Sequence, residues 1–409
     1  MDNLSMLEKY ADLILKKGIN LQPNQNVILK SNTDAMDLNR LIVKRAYELG
    51  AFHVYVDIGD DEISRLHLSL APEEALEKFY TYKIDGFTQM LKEDAALISI
   101  ACPNIDLFKD ISPLRLGKSN KASAIAGKEF GSIISNQDVC WTIASYVTDE
   151  WARKVFPDLE LSYAKEKLWE KVYEATRVNL KDPIKAWDEQ SSSLLNRCAK
   201  LNEHNFKYLE YTSSTCNLKI ELVENHVWLG GSGKNKNGVE FIPNIPTEEV
   251  FTVNDKFGID GSVKSTKPLN LSGVMVTNFS FDFKDGRIVD FSAETGYEVL
   301  KNYLDIDEGA RYIGEVALVP FDSPISKTNM IFENTLFDEN ASCHLAFGRA
   351  YPSCIKGGDK MSEDALSEAH VNRSLTHIDF MIGSDDLSIF GIEQDGKKIE
   401  VFKKGNWAF

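Results

Sequence analysis

The feature that most constrains this chain is the alternation in its first 150 residues. Strand-like runs ("NVILKSN", "FHVYVDIG", "AALISIA", "VCWTIASYV") are separated by helix-like ones ("AMDLNRLIVKRAYELGA", "PEEALEKFY", "PLRLGKSNKASAIAGKEFGSII"). Strands that return to a sheet through helices run parallel, so the order predicts a parallel sheet with helices on its faces, in a doubly wound pattern. No GxGxxG follows any of these strands, and a nucleotide cofactor has no support. The character changes after two long charged helical stretches between Leu161 and His204. From Tyr208 onward short β-rich runs dominate, with an Asp285-Gly286 turn signal. The expectation is an α/β N-terminal domain over residues 1–190 and an α+β C-terminal domain over 191–409. At 409 residues, with 43% apolar residues, the chain can fill two cores.

Charge narrows the partners. Lys and Arg number 46 against 62 Asp and Glu, and a net charge of -16 repels phosphate backbones and anionic lipid. No basic stripe offsets it, so neither nucleic acid nor membrane is expected as a partner. The N-terminal stretch carries Leu4, Leu7, Ala11 and Ile14 at helical spacing with charges between them, unlike a signal peptide. Nothing approaches the ~20 apolar residues of a membrane span. Six scattered cysteines without a CxxC pair fit a reducing cytoplasm.

Chemistry concentrates in the C-terminal half. In "SLTHIDFMIG" an apolar strand carries His377 and Asp379 two residues apart, hence on one face. In "LFDENASCHLAFGRAYPS" Asn340 is expected to cap a helix running through Leu345, Ala346 and Phe347, which sets His344 and Tyr351 two turns apart on one side and leaves Cys343 to packing. "NIPTEEVFT" places Glu248 and Glu249 on a strand, facing opposite ways, one of them solvated. "RYIGEVALVP" buries Glu315, which needs a positive partner, Arg311 among the candidates. Glu339 lies beside the expected cap. A core imidazole satisfied by a carbonyl and an ordinary ion pair remain open readings for these residues.

Taken together, Glu249, Glu315, Glu339, His344, His377 and Asp379 are carboxylates and imidazoles without a thiolate, a donor set for Zn, Co, Mn or Mg. Six donors exceed one tetrahedral ion and favour two ions ~3.5–4 Å apart with a bridging glutamate. Competing motifs fail. "GGSGKNKNG" does not complete a phosphate loop, because Trp228 stands where the first glycine belongs and Asn235 follows Lys234; it reads as a hairpin. HExxH and GxSxG are absent.

Four ordered blocks, "GGSGKNKNGVEFIPNIPTEEVFT", "GEVALVPFDSPIS", "LFDENASCHLAFGRAYP" and "HIDFMIGSDDL", resemble the thermophilic aminopeptidase family of metallopeptidases. The resemblance implies Glu249, Glu315, His344, His377 and Asp379 as metal ligands with Glu339 as the sixth, and Tyr351 as the catalytic tyrosine. It also implies removal of N-terminal residues from peptides with a free N-terminus by a dinuclear metal-activated water, and a cytoplasmic homodimer. Two alternatives stand beside it: a dinuclear amidase or deaminase acting on small amides, and a non-enzymatic peptide-binding protein with a structural metal.

Overall fold

The computed structural model describes residues 3–271 and 274–409; Ser272 and Gly273, inside the expected β-rich run, lie outside them. The chain divides into two compact units, Met1–Glu189 with Ser232–Pro246, and Gln190–Gly231 with Thr247–Phe409. The division falls within the helix Pro183–His204, and the segment Ser232–Pro246 groups with the first unit rather than with its neighbours in sequence.

In the first unit β1 (Asn26–Asn32), β2 (His53–Gly59), β3 (Ala96–Ala101) and β4 (Trp141–Ser145) pair in the order β2-β1-β3-β4, all parallel. Val27, Ile28 and Leu29 are fully buried because β1 lies inside the sheet with helices over its faces, which is why that strand reads as a continuous apolar run. Edge strand β2 leaves Tyr55 and Val56 exposed. The turn after β1 carries Asn32, Thr33 and Asp34 in place of glycines, and Asp34 and Asp61 are held above the ordinary carboxylate range by burial and by neighbouring acids, an environment hostile to phosphate. The loop read as a hairpin pairs Gly233 with Phe241 and Lys234 with Glu240. Asn235 closes it by accepting the N–H groups of Asn237 and Val239.

The second unit stacks two antiparallel sheets. One has eight strands, including Ser280–Lys284 and Arg287–Ser292, joined through Asp285 and Gly286, both at positive φ as a two-residue hairpin requires. The other has five: Leu229–Gly230, β5 (Val250–Thr252), β6 (Ile313–Leu318), β7 (His344–Gly348) and β8 (His377–Met381), in the order β8-β7-β6-β5 followed by Leu229–Gly230. An aromatic core joins them, with Phe281 of the larger sheet 5.0 Å from the ring of Phe380 and 6.0 Å from that of Phe347. Among the described residues no helix is long and apolar enough to cross a membrane.

The helix expected after Asn340 is instead strand β7. A short apolar run has no periodicity to separate helix from buried strand. Here Ser342 is already extended at φ -164 and ψ 168, and β7 is hydrogen-bonded on both sides with all five residues buried. Asn340 sits in a single 3-10 turn, Glu339–Ala341. His344 and Tyr351 therefore do not share a helical face. Cys343 remains a packing residue: its thiol is buried, donates to the carbonyl of Val319, and is pushed up to about 12 by burial.

Register sets which side chains share a face. Paired residues of antiparallel strands point the same way, and successive residues alternate. Val316, Leu345 and Phe380 line up toward the aromatic core, whereas Ala317 with His344, Glu315 with Ala346 and Asp379, and Gly348 with His377 line up on the other face. A bulge makes this possible. Ile313 pairs with Phe347 and Glu315 with Ala346, so Gly314 is an extra residue in β6; without it Glu315 would share the core face of Ile313. A Cβ at Gly314 would come within 2.4 Å of the Gly348 carbonyl and 2.7 Å of the Ala350 nitrogen, backbone atoms that cannot yield. Gly314→Ala is expected to destabilise the protein by about 1–3 kcal/mol or more, read as a lowered denaturation midpoint. An unchanged midpoint would show that the bulge does not constrain β6.

Candidate metal centre

The face of the five-stranded sheet turned away from the aromatic core collects the acids and imidazoles. Glu249 directly precedes β5 and faces β7: its Oε2 lies 3.2 Å from His344 Nε2. Glu315 stands between the two histidines, with Oε1 3.9 Å from His344 Nε2 and Oε2 3.6 Å from His377 Nε2. Asp379 Oδ1 lies 3.4 Å from His377 Nε2. Ligand atoms of Glu249, Glu315 and His344 all fall within 4.8 Å of one another, a spacing that can hold a metal ion. The small residues Ala317 and Ala346 on the same face leave room above the strands.

Both imidazoles are oriented from behind. His344 Nδ1 lies 3.1 Å from the Ser342 carbonyl and His377 Nδ1 lies 2.7 Å from that of Arg349. A carbonyl only accepts, so each Nδ1 carries the hydrogen, and in the neutral ring the lone pair sits on Nε2, facing the carboxylates. Satisfaction of each imidazole by a carbonyl was an open reading of the sequence and holds at Nδ1; which carbonyl does it leaves no trace in residue identity.

Glu339 joins the cluster from the turn before β7. Its carboxyl is pushed well above the ordinary range, first by burial and then by the charges of Glu249, Asp379, Glu315 and Asp338. Asn340 holds this turn to the Glu249 segment: its Oδ1 accepts the backbone N–H of Glu248 at 2.7 Å, and its amide donates to the Leu336 carbonyl at 3.0 Å and to Glu339 Oε1 at 3.4 Å. Glu248 and Glu249 do point apart, but neither is solvated. Glu248 is 3% exposed and accepts from Gln190 Nε2 at 2.9 Å. Tyr351 follows β7, with its ring 4.8 Å from that of His377 and 6.2 Å from that of Phe251. Phe251, two residues after Glu249 and hence on its face, was also missed; the period of two was the available signal.

Electrostatics tests whether these groups suit a cation. Among the described residues no Lys or Arg ion-pairs with Glu249, Glu315, Glu339 or Asp379, and the expected partner Arg311 binds Asp305 instead. Burial, with Asp379 and Glu249 nearby and the histidines opposing, pushes Glu315 up to about 8. Burial works against charge on His344 and His377, yet Glu249 for the first and Asp379 for the second raise each to about 9. Burial likewise opposes ionisation of Asp379, but His377 and His344 hold it below the ordinary range. Protons thus occupy sites where the donor chemistry calls for divalent ions. The residues fit such ions.

A pH dependence follows. The histidines and Glu315 titrate ordinarily at 6.5 and 4.5, so folding favours their protonated forms. In the metal-free chain their contribution is full below pH 4.5 and is lost as pH rises through about 8 to 9. Metal must displace those protons, so its affinity rises over the same range. The gap in denaturation midpoint between metal-loaded and metal-free protein is expected to widen from pH 6.5 to pH 9, by on the order of 1–3 kcal/mol. A constant gap would remove these groups from the metal site.

The sequence profile of the thermophilic metalloprotease (M29) family matches residues 3–407. The chain belongs to this family. It is a hydrolase of the metallo-aminopeptidase class. Aminopeptidase 2 of Geobacillus stearothermophilus is 47% identical over 403 residues, covering 98% of each chain. Aminopeptidase AmpS of Bacillus subtilis is 45% identical over 410 residues, covering 100% of each. The solved structure of wild-type AmpT from Thermus thermophilus superposes with a TM-score of 0.93 at 38% identity, covering 99% of both chains. M29 membership implies a divalent metal, and the cluster on the five-stranded sheet has the donors for it.

Proposed function

We propose that this M29 protein releases N-terminal residues from peptides at a dinuclear centre held by Glu249, Glu315, Glu339, His344, His377 and Asp379, with Tyr351 as the catalytic tyrosine. The observation that carries the reading is the convergence of Glu249, Glu315 and Asp379 with two Nε2-presenting imidazoles on one sheet face, joined by Glu339 from the turn before β7, with no Lys or Arg ion-paired to them among the described residues. When bound, two divalent ions supply Lewis acidity and lower the pKa of a water toward ~7, so that a nucleophile exists at neutral pH.

The chain's own residues do the rest. Ser342 and Arg349 fix the imidazole tautomers through Nδ1. Glu315 turns one oxygen to each histidine, so it would hold metal together with either of them. The Tyr351 phenol is held protonated, by burial and by Glu315 and Asp379, so it can donate to the oxyanion that develops on the scissile carbonyl. A peptide's terminal amine would be held beside the scissile bond at the second metal or at an adjacent carboxylate of the cluster, which would restrict cleavage to the first residue. The same reading includes two ions per chain drawn from Zn, Co, Mn or Mg, and a cytoplasmic homodimer.

Aminoacyl anilides compared with their N-acetylated analogues test the reading. Turnover of the free amines that stops with a chelator and returns with metal is expected, and acetylation should abolish it. Equal hydrolysis of blocked substrates would favour the amidase alternative, and no turnover at any metal concentration the binding-protein alternative.

A further inference from the structure

Phe251 shares a face with the acids and imidazoles and has no part in the reading above. It pairs with Ala317, which pairs in turn with His344, so the three side chains point the same way. Glu249, two residues earlier, points that way too. The Phe251 ring meets that of Tyr351 edge-on at 6.2 Å, and the Tyr351 ring lies 4.8 Å from that of His377. Phe251 packs against the cluster that includes Val253, Cys354 and Ile355 without being covered by it: Val250 and Thr252 on either side are fully buried, whereas Phe251 keeps part of its surface exposed. Leu229, paired with Phe251 and hence beside it on the same face, is partly exposed as well.

The surface that a substrate can reach is unevenly shared among these groups. His344 is 1% exposed and Glu315 5%, whereas Tyr351 is 39% exposed, so a substrate meets the site from the Tyr351 side, where Phe251 stands. Accessible apolar surface beside a group of acids suits a binding wall better than a core. The scissile carbonyl that Tyr351 serves and the terminal amine are both bonded to the α-carbon of the substrate's first residue. With the amine at Glu249, the side chain on that carbon reaches Phe251, about 7 Å further along the same face.

We propose that Phe251, extended by Leu229, forms the wall on which the first side chain of the substrate lies, and that the chain thereby favours peptides beginning with a large apolar residue. The assignment rests on the aminopeptidase reading and adds to it the residue that selects among substrates.

Leucyl, phenylalanyl and alanyl anilides share a leaving group, so their kcat/KM ratios with the metal-loaded, full-length protein report on the first side chain alone. The two larger residues are expected to exceed alanine by about tenfold or more in the wild type, and Phe251→Ala to cut that ratio by about tenfold while metal content is retained. Phe251→Leu keeps an apolar side chain against the cluster and should fold even if the smaller variant does not; it should lower the phenylalanyl-to-alanyl ratio severalfold. Free leucine and free alanine, the products, give a readout apart from turnover: in calorimetric titration their affinity ratio should fall in Phe251→Ala by the same order. Unchanged ratios would overturn the assignment, as would an equal fall with every anilide, which would show that the ring acts only through Tyr351. No turnover of any anilide by the wild type would sink the aminopeptidase reading and the assignment with it, so the two failures are told apart.

Discussion

Replacing Glu315 with glutamine is expected to remove metal and turnover together, the latter by a factor on the order of 10³ or more. Glutamine preserves the shape but removes the charge and turns one acceptor into a donor, at a carboxylate whose two oxygens face His344 and His377 separately. Losing several kcal/mol of charge stabilisation in the transition state accounts for the size of the effect. Unfolding would give the same loss, and the buried environment separates the two cases. Since burial raises the Glu315 carboxyl to about 8, the metal-free protein at neutral pH already holds it mostly neutral, close to an isostere of glutamine. Metal-free Glu315→Gln should thus denature no earlier than metal-free wild type, while metal analysis finds its centre depleted. A variant that keeps full turnover would refute the role as a metal ligand; one that denatures far below metal-free wild type would show a structural role in its place.

Removing the Tyr351 hydroxyl should leave metal in place and slow turnover about 10²–10³-fold, the usual effect of deleting one oxyanion donor. The ring contacts with His377 and Phe251 survive in Tyr351→Phe, and only the hydroxyl is lost. Stability should be nearly unchanged. The loss should appear in kcat more than in KM, because the hydrogen bond strengthens as charge develops on oxygen. Turnover equal to wild type would take the tyrosine out of the mechanism.

How far the sequence revealed this molecule depended on local signal. Strand β1 was legible to its ends because Val27, Ile28 and Leu29 are bounded by polar residues and followed by a helical pattern. Strand β7 was not: "HLAFG" is short, uniformly buried and equally compatible with a helix, and only its two neighbouring strands decide the matter. Its histidine was singled out all the same, because an imidazole in apolar company is a chemical signal independent of backbone state. Glu315 illustrates the opposite limit. Its burial was evident from the flanking Ile313, Val316 and Leu318, whereas its direction depends on the Gly314 bulge, which arises from pairing with β7 and has no signature in β6 alone. Asn340 looked like a helix cap, and it does satisfy backbone groups, though across 92 residues of sequence to Glu248. Long-range partners of this kind are set by tertiary packing, which overrides local preference.

The central claim is that one face of the five-stranded sheet holds a pair of divalent ions. Metal content per chain, measured alongside anilide turnover as a stripped sample is titrated with Zn, Co, Mn or Mg, tests it most directly. Activity that rises to its full value as two equivalents are taken up, with neither uptake nor activity in Glu315→Gln, is the predicted result. Full activity with no bound metal, or uptake that persists undiminished in Glu315→Gln, would contradict it.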